Sequence, residues 1–268
     1  MLRSALLNVM VQAAYKAGRT LKRDFGEVAH LQVSMKGPGD FVSAADHRAE
    51  DILRAELAKA RPGYSFLGEE RGRHEGTDKT HTWIVDPLDG TANFLHGIPQ
   101  FAIAIALQRD DTIVAGLVYN PVLDELFTAE RGKGAFLNDR RLRVAARTRL
   151  SDAMVACGLP HLGRGDLALS RHELATVQPK VAGLRRFGSA ALDLAGVAAG
   201  RFDIYWERGL SPWDLAAGLL LVREAGGFVT DLEGGDAILT KGHVIAGNEA
   251  LHRDLLKLLQ QGNGQGAS

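Results

Sequence analysis

Asp86 and Asp89 lie within one short string, Asp86-Pro87-Leu88-Asp89-Gly90-Thr91, directly after the apolar run Trp83-Ile84-Val85. Proline fixes its own backbone and glycine tolerates tight turns, so Pro87 and Gly90 bend the chain between and after the two carboxylates. Such a bend can set the Asp86 carboxylate, the Leu88 carbonyl and the Asp89 carboxylate around one point. All three offer oxygen, the donor that magnesium prefers. Gly90-Thr91-Ala92-Asn93 reads as the opening of a short helix, where free backbone N–H groups suit a phosphate. A metal site and a phosphate site would then adjoin within about six residues of chain. Taken alone, the same string also fits a solvated Asp-Pro and Asp-Gly turn.

Two further acidic segments sit in comparable places. Gly68-Glu69-Glu70 follows the apolar run Tyr64–Leu67, and if the two runs are neighbouring strands, Glu69 or Glu70 lies beside Asp86. By itself it is an ordinary acidic loop. In Ser211-Pro212-Trp213-Asp214-Leu215-Ala216-Ala217-Gly218, Pro212 suits the first turn of a helix and Asp214 lies near its positive end. By itself that Asp is explained by the helix dipole, and Trp213 by core packing.

Together these segments resemble the inositol monophosphatase family. Residues 83–94 match its Trp-x-x-Asp-Pro-x-Asp-Gly-Thr-x-Asn-Phe motif, and residues 213–218 match its Trp-Asp-x-Ala-Ala-Gly motif. Gly68-Glu69-Glu70 and Arg185-Arg186-Phe187-Gly188-Ser189-Ala190-Ala191-Leu192-Asp193 match two more elements, in order along residues 1–260. The chain is most similar to the bacterial extragenic-suppressor type. The resemblance implies an α+β fold, the layered αβαβα sandwich of the inositol monophosphatase and fructose-1,6-bisphosphatase type. It implies Glu69, Asp86, the Leu88 carbonyl, Asp89 and Asp214 as ligands of two or three magnesium ions. Asp89 and Asp214 would also face the substrate. Gly90 and Thr91 would hold phosphate, and Glu69, with Thr91 paired to Asp46, would orient the attacking water. Gly188, Ser189, Ala190 and Glu207 would contact the alcohol, and Lys36 would sit in a mobile loop over the site. Many relatives carry a second threonine where this chain has Ala92, which leaves the N–H needed for phosphate unchanged.

The implied reaction is hydrolysis of a phosphate monoester, myo-inositol-1-phosphate above all, inhibited by lithium and run by a homodimer. Sister phosphatases with the same metal motifs act on fructose bisphosphate, nucleotide 3′-phosphates or NADP. Glu207 and Gly188-Ser189-Ala190 favour the inositol type, since Arg185, Arg186 and Arg208 are the only nearby cations for a second phosphate. The suppressor type also implies a non-catalytic role in RNA processing, through a transcription or ribosome-linked protein partner.

These residues need elements to carry them. Apolar spacing predicts a helix over 2–25 and a second from Ser43 or Ala44 to Lys59, with Ser43 as N-cap. Met35–Asp40 reads as a loop dense in turn formers. Short β-rich runs at 64–67, 82–85, 102–107, 112–119 and 125–128 predict an antiparallel meander. The second half predicts helices near 167–178, 189–199, 212–225 and 248–260, and strands near 203–206, 227–231 and 243–246. One phosphatase domain over 1–262 is expected, with lobes of about 1–150 and 151–262, the site between them, and a flexible tail at 263–268.

Composition narrows the function classes. The 268 residues balance 32 acidic against 32 basic side chains, so no global basic excess argues for nucleic acid or an anionic membrane. Cys157, the one cysteine, cannot form an intrachain disulfide, and the chain reads as cytoplasmic. No stretch reaches the length of a membrane span. The nine histidines show no zinc spacing, and Cys157 and the lone loop His96 read as bystanders.

Overall fold

Leu7, Met10, Val11, Ala14, Ala17 and Leu21 recur at helical spacing, and all are buried along one side of helix α1 (Ala5–Gly26). The Ser4 hydroxyl caps it by accepting the Leu7 N–H at 3.1 Å. In this computed structural model the described residues are 3–27, 33–37, 40–161, 163 and 165–264, with only the backbone described for 33–37, 40–43 and 262–264. The stretch read as a loop instead pairs two strands, β1 (Val33–Gly37) and β2 (Asp40–Ser43). Helix α2 (Ala44–Ala60) follows at once; the Ser43 side chain lies outside the described residues.

The chain then builds its large sheet. In order come β3 (Ser65–Gly68), β4 (Gly72–His74), β5 (His81–Asp89), the short helix α3 (Thr91–Leu95), β6 (Ala102–Arg109), β7 (Thr112–Asn120), β8 (Glu125–Glu130), β9 (Gly134–Leu137) and β10 (Arg140–Arg141). The strand order is β10-β9-β8-β7-β6-β5-β3-β4. From β5 to β10 every pairing is antiparallel, the expected meander, whereas β3 joins β5 in parallel.

The remainder alternates. It runs β11 (Met154–Cys157), α4 (Leu167–Val177), β12 (Gly183–Arg185), α5 (Ala190–Ala198), β13 (Ile204–Glu207), α6 (Pro212–Glu224), β14 (Phe228–Thr230), α7 (Ile238–Lys241), β15 (Val244–Gly247) and α8 (Glu249–Gly264). A second sheet has the order β12-β11-β13-β15-β14. Helix α8 carries on through residues 263 and 264, expected as tail, and 265–268 lie outside the described residues.

Three apolar cores fix the layers. One holds α1 and α2 against the large sheet through Leu21, Leu53, Val85 and Ile103. The second sandwiches α5 and α6 between the sheets, with Ala104 and Val118 on one side and Tyr205 and Val244 on the other. The third covers the outer face of the small sheet, where Val177 of α4 and Leu255 of α8 meet Val155 and Ile245. The stack is therefore αβαβα. No described helix is long and apolar enough to cross a membrane.

Candidate active site

Strands β3 and β5 run parallel with Gly68 opposite Val85, so both leave the sheet at the same end. Glu69 follows β3, and Asp86 follows Val85, the last residue of β5 paired with that strand, which makes the two acidic segments neighbours. Past Asp86 the pairing of β5 with β6 slips before resuming at Asp89, the bend that Pro87 favours. The Leu88 N–H turns back to Asp86 Oδ1 at 2.9 Å. Gly90 has φ +92°, and a Cβ there would lie 2.9 Å from the Gln100 carbonyl, so glycine is required for both conformation and room. The Thr91 hydroxyl lies 2.9 Å from the Leu88 carbonyl and 3.3 Å from Asp46 Oδ2. It has one proton, and the shorter distance gives it to Leu88.

Asp89 reaches across to the N-terminus of α5. The Ser189 hydroxyl donates to Asp89 Oδ2 at 2.5 Å and the Ala191 N–H donates to the same oxygen at 2.8 Å. The hydroxyl that the resemblance assigns to the alcohol is thus engaged with Asp89. Asp214 lies in the first turn of α6, where its Oδ2 accepts the Ser211 N–H at 2.7 Å. One carboxylate oxygen each from Asp86, Asp89 and Asp214 all lie within 4.8 Å of one another. Glu69 stands just outside this triad.

Burial first, then the charges of Glu69, Asp89 and Asp214, pushes the Asp86 carboxyl well above the usual carboxylate range. Asp214 rises as well, through burial and then the charge of Asp89. Asp89 is pushed up to about 6 by burial, against the pull of Ser189 and the Ala191 and Ala190 N–H groups. Such a set of crowded oxygen donors fits a hard divalent cation, which offsets the repulsion that adds to burial in raising Asp86 and Asp214.

The flank beside the triad is also acidic. Glu207 Oε2 accepts the Tyr205 hydroxyl at 2.5 Å. Its carboxylate lies so close over Gly158 that a Cβ there would come within 1.7 Å. Gly188 sits at φ +80° just before the α5 cap, and Ala190 opens that helix. Asn93 joins the two segments: its amide donates to the Gln100 and Phe187 carbonyls, each at 2.7 Å. Sequence reasoning missed Asn93, although its place in the motif was visible. It also gave no role to Asp193, a buried acid one turn past Ser189 in an otherwise apolar helix. Burial, then Glu207 and Asp89, push the Asp193 carboxyl well up, with Arg186 opposing.

Other expectations fall outside the cluster. Lys36 lies on β1, and its side chain is outside the described residues. His96 is exposed. The Cys157 thiol is buried and pushed up to about 12 by burial and then the charge of Glu207, which rules out a thiolate nucleophile.

The sequence pattern of the inositol monophosphatase family matches residues 2–263. An inositol-1-monophosphatase of Mesorhizobium japonicum is 66% identical over 97% of this chain and 98% of its own length. The Nus factor SuhB of Pseudomonas aeruginosa is 43% identical over 95% of this chain and 96% of its own. The crystal structure of the extragenic suppressor protein suhB from Bartonella henselae superposes with a TM-score of 0.94 at 60% identity, covering 97% of this chain and all of that one.

Proposed function

The chain belongs to the inositol monophosphatase family and is a phosphatase, and from that premise we propose that it hydrolyses phosphate monoesters with magnesium, myo-inositol-1-phosphate being the substrate. The observation that carries this reading is the carboxylate triad of Asp86, Asp89 and Asp214, whose Asp89 directly precedes the Gly90–Thr91 turn. Glu69, Asp86, the Leu88 carbonyl, Asp89 and Asp214 would hold two or three magnesium ions. Bound there, magnesium supplies Lewis-acid chemistry, drawing charge from phosphoryl oxygens and making water more acidic.

The chain's own groups do the rest. Backbone N–H groups of Gly90 and Thr91 hold the phosphoryl oxygens as charge builds on them. The Glu69 carboxylate accepts a hydrogen bond from the attacking water and aims it at phosphorus. Thr91, whose proton goes to the Leu88 carbonyl, keeps lone pairs to accept a hydrogen bond from the water's other O–H. Glu207 and the backbone of Gly188, Ser189 and Ala190 flank the alcohol. A bisphosphate needs a further cation there. Arg208 is held by Glu173 at 2.8 Å, while Arg186 lies beside Gly188 and acts against the Asp193 charge.

Phosphate release against inositol phosphates, 2-glycerophosphate, fructose bisphosphate, NADP and a 3′-phosphonucleotide, with and without magnesium, tests this. We expect magnesium-dependent release, fastest on inositol-1-phosphate, inhibited by lithium and reduced at least about a thousandfold in Asp89→Asn. Release without a divalent cation, or a preference for the bisphosphate, sinks the reading. The same reading carries a cytoplasmic homodimer.

The relative named as a Nus factor favours a second role, docking on a transcription or ribosome-linked protein. Balanced charge supports a protein partner over direct RNA contact. Pull-down with Asp89→Asn separates the roles, because docking should survive the loss of turnover.

A further inference from the structure

Glu50 takes no part in the chemistry described above, yet it is a completely buried acid in the middle of α2. Its carboxylate is used on both sides. Oε2 accepts the Glu70 N–H and Oε1 accepts the Arg71 N–H, each at 2.8 Å. These two donors belong to the turn Glu69–Arg71, which links Gly68 of β3 to Gly72 of β4. The first residue of that turn is Glu69. A Cβ on Gly68 would lie 2.5 Å from Glu50 Oε2, so the strand end is bare where the carboxylate must enter. Two successive N–H groups converging on one anion make a small backbone cradle.

The same helix holds the other wall. Asp46, one turn earlier, faces the Thr91 hydroxyl, while His47 Nδ1 lies 3.3 Å from the Glu70 carboxylate. Helix α2 therefore touches both the Glu69 turn and the Gly90–Thr91 turn, and the spacing between them follows from one rigid element. Arg71 adds an exposed ion pair with Asp51 at 2.9 Å, which is worth little in water.

We infer that Glu50 is a positioning residue: its carboxylate locks the Glu69–Arg71 turn so that the Glu69 side chain is delivered to the metal cluster. The inference rests on the reading of Glu69 as a metal ligand. Glutamine at 50 would keep one acceptor and turn an NH2 toward an N–H that needs an acceptor. Supports one step behind a ligand typically change metal affinity about 10- to 100-fold.

The test is direct binding of Mn2+, followed by its electron paramagnetic resonance signal, in the full chain and in Glu50→Gln, with thermal melts and steady-state kinetics beside it. We expect Glu50→Gln to weaken Mn2+ binding about tenfold and to raise the magnesium concentration for half-maximal activity in step. It should lower kcat while leaving the substrate KM within about twofold, because phosphate is held by a different turn. Asp51→Asn, which cuts only the exposed pair to the same turn, should bind Mn2+ as the parent does. Unchanged Mn2+ affinity in folded Glu50→Gln, whatever its melting temperature, overturns the inference, as does an equal loss in Asp51→Asn. If Glu50→Gln does not fold, Glu50→Asp decides by the same criterion, since it keeps the charge but draws it back from the cradle. Asp89→Asn separates the two claims. If it binds Mn2+ normally, the metal-site reading itself has failed and the inference falls with it; if it does not, the Glu50 result stands alone.

Discussion

At the scale of single residues, Asp89 is held by groups that have nothing to do with its own strand. Its Oδ2 takes the Ser189 hydroxyl and the Ala191 N–H. Hydrogen bonds to a charged acceptor contribute about 1.5–3 kcal/mol each. Ser189 also caps α5 by accepting the Leu192 N–H. Ser189→Ala is therefore expected to lower the melting temperature by roughly 5 °C and to raise the magnesium requirement several-fold, with the fold retained. Melting curves and a magnesium titration of phosphate release check this; an unchanged magnesium midpoint would mean that Ser189 does not hold Asp89. The paired carboxylates were legible from type and spacing. Ser189 as their support was not, because 100 residues of chain separate it from Asp89.

At the scale of elements, α6 must lie close against β7 for Asp214 to reach the triad. A Cβ on Gly116 of β7 would stand 2.8 Å from the Ala217 carbonyl and 3.2 Å from its Cα. Backbone on both sides cannot yield as a side chain can. Gly116→Ala is expected to destabilise by about 1–3 kcal/mol, read as a lower denaturant midpoint at unchanged slope, and to raise the magnesium requirement by tilting α6. A variant as stable as the parent would show that the two layers slide freely. The meander was legible because β5 to β8 are apolar runs of six to nine residues that pair with their sequence neighbours. The β1–β2 pair was read as a loop because Gly37, Pro38 and Gly39 outweighed the strand formers around them. Strands β11 and β12 are only four and three residues long and pair in parallel across about 30 residues, so no local pattern marks them.

At the scale of the whole molecule, the layering buries acids that the chain must then neutralise. Asp89 titrates near 6 in the fold against a usual value of 3.8. A raised pKa means that the folded state holds its proton more tightly, so this stability is fully present below about 3.8 and is lost as pH rises through about 6. For Asp89 alone the loss is roughly 3 kcal/mol, and Asp86 and Asp214 shift the same way. Metal-free protein should therefore be less stable near neutrality, and magnesium should restore it there through binding linkage. The gain in melting temperature on adding magnesium should be larger near pH 7.5 than near pH 5. Exposed acids such as Asp78, lowered to about 2 by Thr80, act equally with and without metal and cancel in that difference. An equal or larger gain at the acid pH would show that the triad carries no such charge.

The sequence alone determined which residues are acids at turns, where Pro87 and Gly90 bend the chain, and which runs are helical or extended, because these depend on near neighbours and on residue type. Its motifs also placed the chain in its family. Only the tertiary structure decided that Glu69 and Asp86 leave one sheet end side by side, that Asp214 comes to them on α6, and that Ser189 and Glu50 hold the carboxylate and the turn from behind. Those relations depend on strand pairing and helix packing between segments far apart in the chain, and local sequence carries no record of the distance between them.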